Sequence, residues 1–248
     1  MPDFRETIVS GARDLGINLD SDKVEMFCTY RDLLMRWNTV MNLTSIRDDQ
    51  GMAVKHFLDS LTCLLVVPPG GASSLADVGT GAGFPGLVLK IAWPSARVLL
   101  LDSVGKKLKF VSEVARVLGL NDVEVVQGRA EEIARMSWAR ERYDLGVARG
   151  VADLAVVSEY CMPFIACGGV FVAMKGPRVE EELRSGARAI AVLGGGEPSM
   201  RRVHLPFGAG ERVLVSARKV KPTPSEYPRK TGLPERRPLF GEAGQNRS

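Results

Sequence analysis

The chain has 248 residues, of which 45% are hydrophobic and 25% are charged, and its formal net charge is +4. This balance is typical of an ordinary globular protein and excludes a disordered or fibrous one. No apolar run approaches the roughly 18 residues of a membrane span, and the amino terminus lacks the basic and apolar regions of an export signal. The sequence therefore predicts a cytoplasmic protein without a membrane segment.

Residues 1–70 are predicted to form a helical extension that packs on the main domain. Five apolar residues recur at spacings of three and four, at Phe27, Tyr30, Leu34, Trp37 and Met41. Such spacing is typical of one apolar helix face, which we interpret as core, with a partner-binding face as the alternative. Asp22 and Glu25 have the spacing of a capping box at the start of this helix.

Between residues 71 and 220, short β-rich runs alternate with helical stretches. Five runs are predicted to be buried strands: LADVG, RVLLLD, VEVVQ, YDLGVA and GGVFVAMK. The alternation predicts a doubly wound, mostly parallel sheet. RRVHLPF and ERVLVSARKV are separated by a short glycine-containing link and are expected to close the sheet as an antiparallel pair. The fold class is therefore α/β, with the seven-stranded arrangement of the Rossmann-like methyltransferases.

Residues 221–248 are predicted to be an extended, basic tail, because they contain five prolines and little periodic apolar sequence. From Lys219 onward the chain has seven Lys and Arg against three Glu, whereas the residues before it have 26 of each sign. All of the net charge therefore lies at this end of the chain.

Few residues suit a metal or a disulfide. The cysteines and histidines are Cys28, Cys63, Cys161, Cys167, His56 and His204. None forms a CxxC pair or another metal-binding spacing, so neither a zinc site nor a disulfide framework is predicted. We expect the cysteines to be small buried hydrophobic residues.

The first predicted strand runs directly into a glycine-rich turn, in the stretch LADVGTGAGFPG. Bare backbone at such a turn lets a nucleotide-like ligand lie against it. Gly79, Gly81 and Gly83 form GxGxG, whereas the dinucleotide fingerprint GxGxxG requires a glycine at the position of Phe84. The spacing therefore favours a ligand other than a dinucleotide.

Two carboxylates stand at strand ends. Asp77 can receive an ammonium group, which S-adenosylmethionine carries and NAD lacks. Asp102 ends the second strand, 23 residues after Gly79, where a carboxylate can accept both ribose hydroxyls or can cap a helix. The segment from Gln127 to Glu131 follows the third strand and either meets the adenine or starts a helix. Together these features favour S-adenosyl-L-methionine as the cofactor.

Seven strings between about Asn42 and Leu239 are similar to those of one known family. They are NLTSI, HFLDSL, DVGTGAGFPG, LDSVGKKLKF, YDLGVARGVA, AMKG and YPRKTGLPERRPL. They resemble the ribosomal RNA small subunit methyltransferase G family, also called glucose-inhibited division protein B. The resemblance implies methylation of N7 of one guanine in 16S ribosomal RNA, free or in the small ribosomal subunit, with no obligate protein partner.

The resemblance also implies roles for individual residues. By similarity, Gly79 and Phe84 line the cofactor pocket, Asp102 lies near the ribose, and Ala130 and Glu131 lie near the adenine. Arg149 ends the fourth predicted strand and would contact the cofactor or the target guanine. It is the candidate catalytic residue.

Guanine N7 carries a lone pair, so methyl transfer to it needs no general base. The protein has to place N7, the methyl carbon and the sulfur in line and to exclude water. An RNA-binding protein also needs positively charged side chains to bind the phosphates of the RNA. The candidate contacts are Lys175, Arg229, Lys230, Arg236 and Arg237, with a plain strand-end lysine and a solvated tail as the alternatives. Methylation of a small molecule and a non-catalytic RNA-binding assembly factor are the alternative functions.

Overall fold

The computed structural model describes residues 3–68, 70–150 and 152–241. Helices precede the sheet: α1 (Phe4–Asp14), α2 (Ser21–Asn38), α3 (Asp49–Met52), a π-helical turn (Ala53–Leu58), α4 (Asp59–Leu61) and a 3₁₀ turn (Thr62–Leu65). The sheet and its helices follow: β1 (Ser74–Val78), α5 (Gly86–Ala92), β2 (Arg97–Asp102), α6 (Gly105–Val117), β3 (Val123–Gln127), α7 (Ala130–Ile133), β4 (Tyr143–Arg149), α8 (Leu154–Cys161), β5 (Ile165–Lys175), α9 (Glu180–Val192), β6 (Ser199–His204), β7 (Glu211–Arg218) and α10 (Leu233–Arg236).

The seven strands form one sheet in the order β3-β2-β1-β4-β5-β7-β6. β7 pairs antiparallel with both β5 and β6, and the other neighbouring pairs are parallel. The predicted doubly wound sheet with an antiparallel closing pair is confirmed. The strand order reverses between β1 and β4, and α/β sheets of this kind bind ligands at the carboxyl ends of the strands beside that switch point.

Three details differ from the prediction. VEVVQ forms β3 but is not buried, because β3 is an edge strand of the sheet. The capping box is wrong, because the N-cap of α2 is Asp20, two residues before Asp22, and the Asp20 side chain accepts from Lys23 N at 2.9 Å. Of the four cysteines, only Cys63 and Cys161 are buried. Across the described ranges, no group of three His, Cys, Asp or Glu is placed to hold a metal.

The predicted apolar face of α2 is core, since Phe27, Tyr30 and Leu34 are fully buried. Phe57, from the π-helical turn, makes edge-to-face contacts with Phe27 and Tyr30, with ring centroids 5.5 and 5.1 Å apart. Tyr30 Oη donates a hydrogen bond to Ala82 O at 2.5 Å. The N-terminal helices thus pack against the loop that follows β1. No helix in the described residues is both long and apolar enough to cross a membrane.

Residues 219–241, here called the strap, have little regular structure beyond α10, yet they pack on the body of the protein. Arg140 donates to Thr223 O at 2.8 Å and to Tyr227 O at 2.9 Å. Arg229 forms an ion pair with Glu159, a fully buried carboxylate. These bonds hold the strap by its backbone as well as by its side chains. Residues 242–248 of the predicted tail lie outside the described residues.

Candidate active site

A cavity of about 450 Å³ opens at the carboxyl edge of the sheet, at the switch point between β1 and β4. Its walls are the loop after β1, the end of β2, the start of α7 and the end of β4. His56 from the N-terminal helical region and Glu235 from the C-terminal strap also line it. Seven of the predicted cofactor-binding residues line it: Gly79, Gly81, Phe84, Asp102, Ala130, Glu131 and Arg149. The cavity is therefore the candidate active site.

The glycine loop after β1 has a backbone that other residues rarely adopt. Gly79, Gly81 and Gly83 have φ angles of 78°, 60° and 93°, in the left-handed region that favours glycine. At Gly83 a Cβ atom would also lie 2.5 Å from Tyr30 Oη and from Leu87 Cδ1. Gly83 is required by packing behind the cavity wall, whereas Gly79 and Gly81 present bare backbone to the cavity.

Asp77 is fully buried near the end of β1 and is not among the residues that line the cavity. Its Oδ2 accepts hydrogen bonds from Thr80 Oγ1 at 2.6 Å and from Gly86 N at 2.8 Å. No donor from the described part of the chain reaches its Oδ1. Burial raises the pKa of Asp77 to about 6. Asp77 thus ties both ends of the glycine loop together, and its contact with a ligand ammonium stays a prediction.

Asp102 ends β2 at the cavity and is 8% exposed. Its Oδ2 accepts from Gly81 N at 2.9 Å and its Oδ1 accepts from Val104 N at 2.8 Å. The N-cap of α6 is Val104, so Asp102 is not the helix cap that the sequence offered as an alternative. Each carboxylate oxygen has a second lone pair, which leaves Asp102 able to accept two more hydrogen bonds from the cavity side.

An aromatic stack forms another part of the wall. Phe84 stacks on Tyr30, with centroids 5.1 Å apart, and on His56, with centroids 4.8 Å apart. His56 Nε2 lies 2.7 Å from Thr44 Oγ1. Burial, reinforced by the charge of Arg149, lowers the pKa of His56 to about 4. The imidazole is therefore neutral at physiological pH.

Arg149 is the last residue of β4, and hydrogen bonds and an ion pair hold its side chain in place. Its Nη1 donates to two backbone carbonyls of the π-helical turn and lies 3.2 Å from Asp59 Oδ2. Its Cζ lies 5.2 Å from the ring centre of Phe84, within the range of a cation–π contact. Asp59 is 1% exposed and also accepts from Arg212 at 2.6 and 2.9 Å. One buried carboxylate thus holds two arginines, from β4 and β7.

The strap completes the cavity beside α7. Glu131 is 3% exposed, and its Oε1 accepts from Gly232 N at 2.8 Å. Tyr160 from α8 and Glu235 from α10 also line the cavity. Burial, together with the charges of Glu131 and Glu235, raises the pKa of Tyr160. Glu235 therefore brings the predicted tail into the cavity wall.

The residues predicted to contact RNA lie in different surroundings. Lys175 closes β5, and its Nζ lies 2.7 Å from Glu182 Oε2. Arg229 Nη2 lies 2.7 Å from Glu159 Oε2, so this guanidinium neutralises a buried charge. Lys230, Arg236 and Arg237 are exposed on the strap. The structure therefore separates Lys175 and Arg229, which are ion-paired, from three cations that face solvent.

Sequence reasoning missed four residues of this region, namely Asp59, Tyr160, Arg212 and Glu235. Asp59 and Glu235 lie inside the strings HFLDSL and YPRKTGLPERRPL, so the strings contained them without indicating what they contact. Nothing in the local sequence marks Tyr160 or Arg212. Their positions follow from the packing of α8 and β7 on the sheet.

The sheet order, the antiparallel β7 and the glycine loop at the switch point define a Rossmann-like methyltransferase. Solved structures agree on the fold. TrmN from Thermus thermophilus superposes with a TM-score of 0.51 at 18% identity, covering 66% of this chain and 48% of that one. Geranyl diphosphate methyltransferase in complex with SAM superposes with a TM-score of 0.51 at 17% identity, covering 65% and 84%.

Sequence comparisons identify the family. Residues 23–213 match the model of rRNA small subunit methyltransferase G. The ribosomal RNA small subunit methyltransferase G of Pelotomaculum thermopropionicum is 48% identical over 94% of this chain and 98% of its own length. That of Alkaliphilus metalliredigens is 44% identical over 92% and 96%. The chain belongs to the rRNA small subunit methyltransferase G family.

Proposed function

We propose that this protein uses S-adenosyl-L-methionine to methylate N7 of a guanine in 16S ribosomal RNA, either free or in the small ribosomal subunit. The observation that carries the proposal is the cavity at the switch point, where a bare glycine loop and Asp102 meet in a chain of this family. A cytoplasmic location follows from the substrate and is part of the proposal.

The residues of the cavity fit this cofactor. A volume of about 450 Å³ suits a nucleoside-sized ligand. The free lone pairs of Asp102 match the two ribose hydroxyls, and the bare backbone at Gly79 and Gly81 permits close approach. We assign Ala130 and Glu131 to the adenine. Asp77 and Gly83 support the site from behind by holding the loop in shape.

The chemistry requires orientation rather than proton removal. S-adenosyl-L-methionine, when bound, supplies an electrophilic methyl group. Guanine N7 already offers a lone pair, so no side chain has to act as a base. In-line placement of the reacting atoms and exclusion of water are worth about 7–11 kcal/mol in favourable systems.

Two residues at the wall suit this task. Arg149 is the proposed catalytic residue, and its bonds to Asp59 and to backbone carbonyls fix its position before any ligand binds. Methylation at N7 leaves a positive charge on the guanine. A neutral His56 does not repel that charge, whereas an imidazolium would.

The test is to incubate the purified protein with small ribosomal subunits, or with 16S ribosomal RNA, and methyl-labelled S-adenosyl-L-methionine. Nucleoside mass spectrometry should then find one 7-methylguanosine per RNA. Label on another atom would overturn the N7 assignment. Stoichiometric RNA binding without label transfer would instead support an assembly factor, and transfer only to small molecules would support the other alternative.

A further inference from the structure

A second cavity, of about 340 Å³, adjoins the first one. The two cavities share a wall made of His56, Arg149 and Gly150. The charged side chains that line the second cavity are Lys55, Asp59, Arg149, Lys175 and Arg212. They come from the π-helical turn, α4, β4, β5 and β7, so elements that are distant in sequence converge here.

The second cavity carries excess positive charge. Four of its charged side chains are cations and one, Asp59, is an anion. Lys175 is paired with Glu182 of α9 at 2.7 Å. Counting Asp59 and Glu182 against the four cations leaves this group of side chains with a net charge of +2. Such an excess beside a nucleotide site attracts an anion.

Arg212 has its remaining donors free for that anion. Its Nε and Nη2 donate to the two oxygens of Asp59 at 2.6 and 2.9 Å. Among the described residues no acceptor bonds its Nη1, and the side chain is 24% exposed. A guanidinium that is held along one edge by a buried carboxylate presents its other edge in a fixed direction, which suits the oxygens of a phosphate.

We propose that the second cavity binds the phosphate group of the target nucleotide, with Arg212 and Lys55 as its contacts. The inference rests on the proposed function, because it takes the RNA substrate from there. A phosphate fits the charge better than the guanine does, since methylation makes the base cationic and this cavity is already cationic. The base would then lie against the shared wall, beside the neutral His56.

The first experiment compares small ligands on protein saturated with S-adenosylhomocysteine, by calorimetry. GMP should bind at least 10-fold more tightly than guanosine, and Arg212→Gln should remove that difference. Arg202→Gln is the matched control, because it removes the same charge from β6 outside both cavities. Equal affinity of the wild-type protein for GMP and guanosine would overturn the proposal.

The second experiment uses RNA and keeps the test valid if Arg212→Gln fails to fold. Lys55 is exposed, so Lys55→Gln is expected to fold normally. A lost phosphate contact should lower the slope of log affinity against log salt by about 0.7 to 0.9. Arg212→Lys should keep the slope, and Arg202→Gln should not change it. Tight binding of inorganic phosphate with an unchanged slope in Lys55→Gln would show a site for free anions and would overturn the proposal.

These outcomes separate the inference from the proposed function. If wild-type protein methylates the RNA while both cavity variants keep the wild-type affinity and slope, only the phosphate site is wrong. If wild-type protein transfers no methyl group to the RNA, the proposed function itself fails.

Discussion

The two cavities that meet at Arg149 differ in how their charges are arranged. Among the described residues the first cavity is lined by three acids and three bases: Asp102, Glu131, Glu235, Lys107, Arg129 and Arg149. The second is lined by four bases and one acid. A ligand with charges of both signs suits the first cavity and an anion suits the second. In the proposed complex, the cofactor and the phosphate are therefore separated by charge at a single wall.

The two cavities also differ in how they are built. The first rests on backbone that directly follows β1 and β2, and Asp77 and Asp102 tie that backbone together. The second rests on long side chains from five elements, and Asp59 holds two of them. Local sequence specifies the glycine loop and Asp102 of the first cavity, whereas tertiary packing specifies the rest of its wall and the whole of the second cavity.

The largest expected effect is at the shared wall. Arg149→Met should lower kcat by about 1,000-fold, equal to about 4 kcal/mol, because the fixed hydrogen-bond donors that would orient the guanine or the cofactor for in-line transfer are lost. Single-turnover methylation assays measure it. Arg116→Met is the control, since Arg116 is 72% exposed on α6. If Arg149→Met weakened only cofactor binding and kept normal turnover at saturating cofactor, that result would contradict the proposal that the shared wall serves both cavities.

The next largest effect concerns the strap. Arg229→Met should lower the free energy of unfolding by about 3 kcal/mol, because it leaves the buried Glu159 carboxylate without a cationic partner. Urea titration measures this loss, and Lys230→Met at the neighbouring exposed position should cost little. If Arg229 contacts RNA instead, the variant will keep its stability and lose RNA affinity.

Asp102→Asn tests the first cavity alone. In asparagine one of the two carboxylate oxygens is replaced by an NH2 group, which cannot accept a hydrogen bond. The dissociation constant for S-adenosyl-L-methionine should therefore rise about 100-fold, or about 2.7 kcal/mol. GMP binding in the second cavity should stay within about threefold of wild type, a change of less than 1 kcal/mol. Asp14→Asn, at an exposed site on α1, is the control. Parallel losses of both ligands would mean that the cavities are not independent.

The smallest effect is a pH dependence. The folded state holds the pKa of His56 at about 4, below its ordinary 6.5, so between these values the unfolded chain takes up a proton that the folded one does not. Stability is therefore lost as pH falls from 6.5 to 4. Relative to His56→Gln, wild type should lose about 1–2 kcal/mol over this window.

Urea titrations at several pH values measure that difference. The opposite trend from Asp77, whose pKa is raised to about 6, is present in both proteins and cancels in the comparison. His204→Gln, at an exposed position, is the control. A pH-independent difference between wild type and His56→Gln would show that the imidazole is not held neutral by the fold.

The sequence predicted those parts of the molecule whose signals are local. Alternating apolar runs located all seven strands, and the residues at the ends of β1, β2 and β4 were found because strand ends carry ligand sites in such sheets. The GxGxG motif is also a local signal, because positive φ angles within a short segment select glycine.

The parts that the sequence did not predict depend on distant contacts. Asp59 lies 90 residues from Arg149 and 153 from Arg212, and no periodicity connects such positions. The composition of the tail indicated an extended segment, but it carries no signal for the buried Glu159 that holds Arg229. The exposed face of β3 depends on its place at the sheet edge, which only the assembled strand order reveals.

The most direct test of the central claim is a crystal structure with S-adenosylhomocysteine and GMP bound together. We predict that the ribose hydroxyls of S-adenosylhomocysteine bond to Asp102 in the first cavity and that the GMP phosphate bonds to Arg212 in the second. S-adenosylhomocysteine in the cationic cavity, or bound away from the glycine loop, would contradict the account.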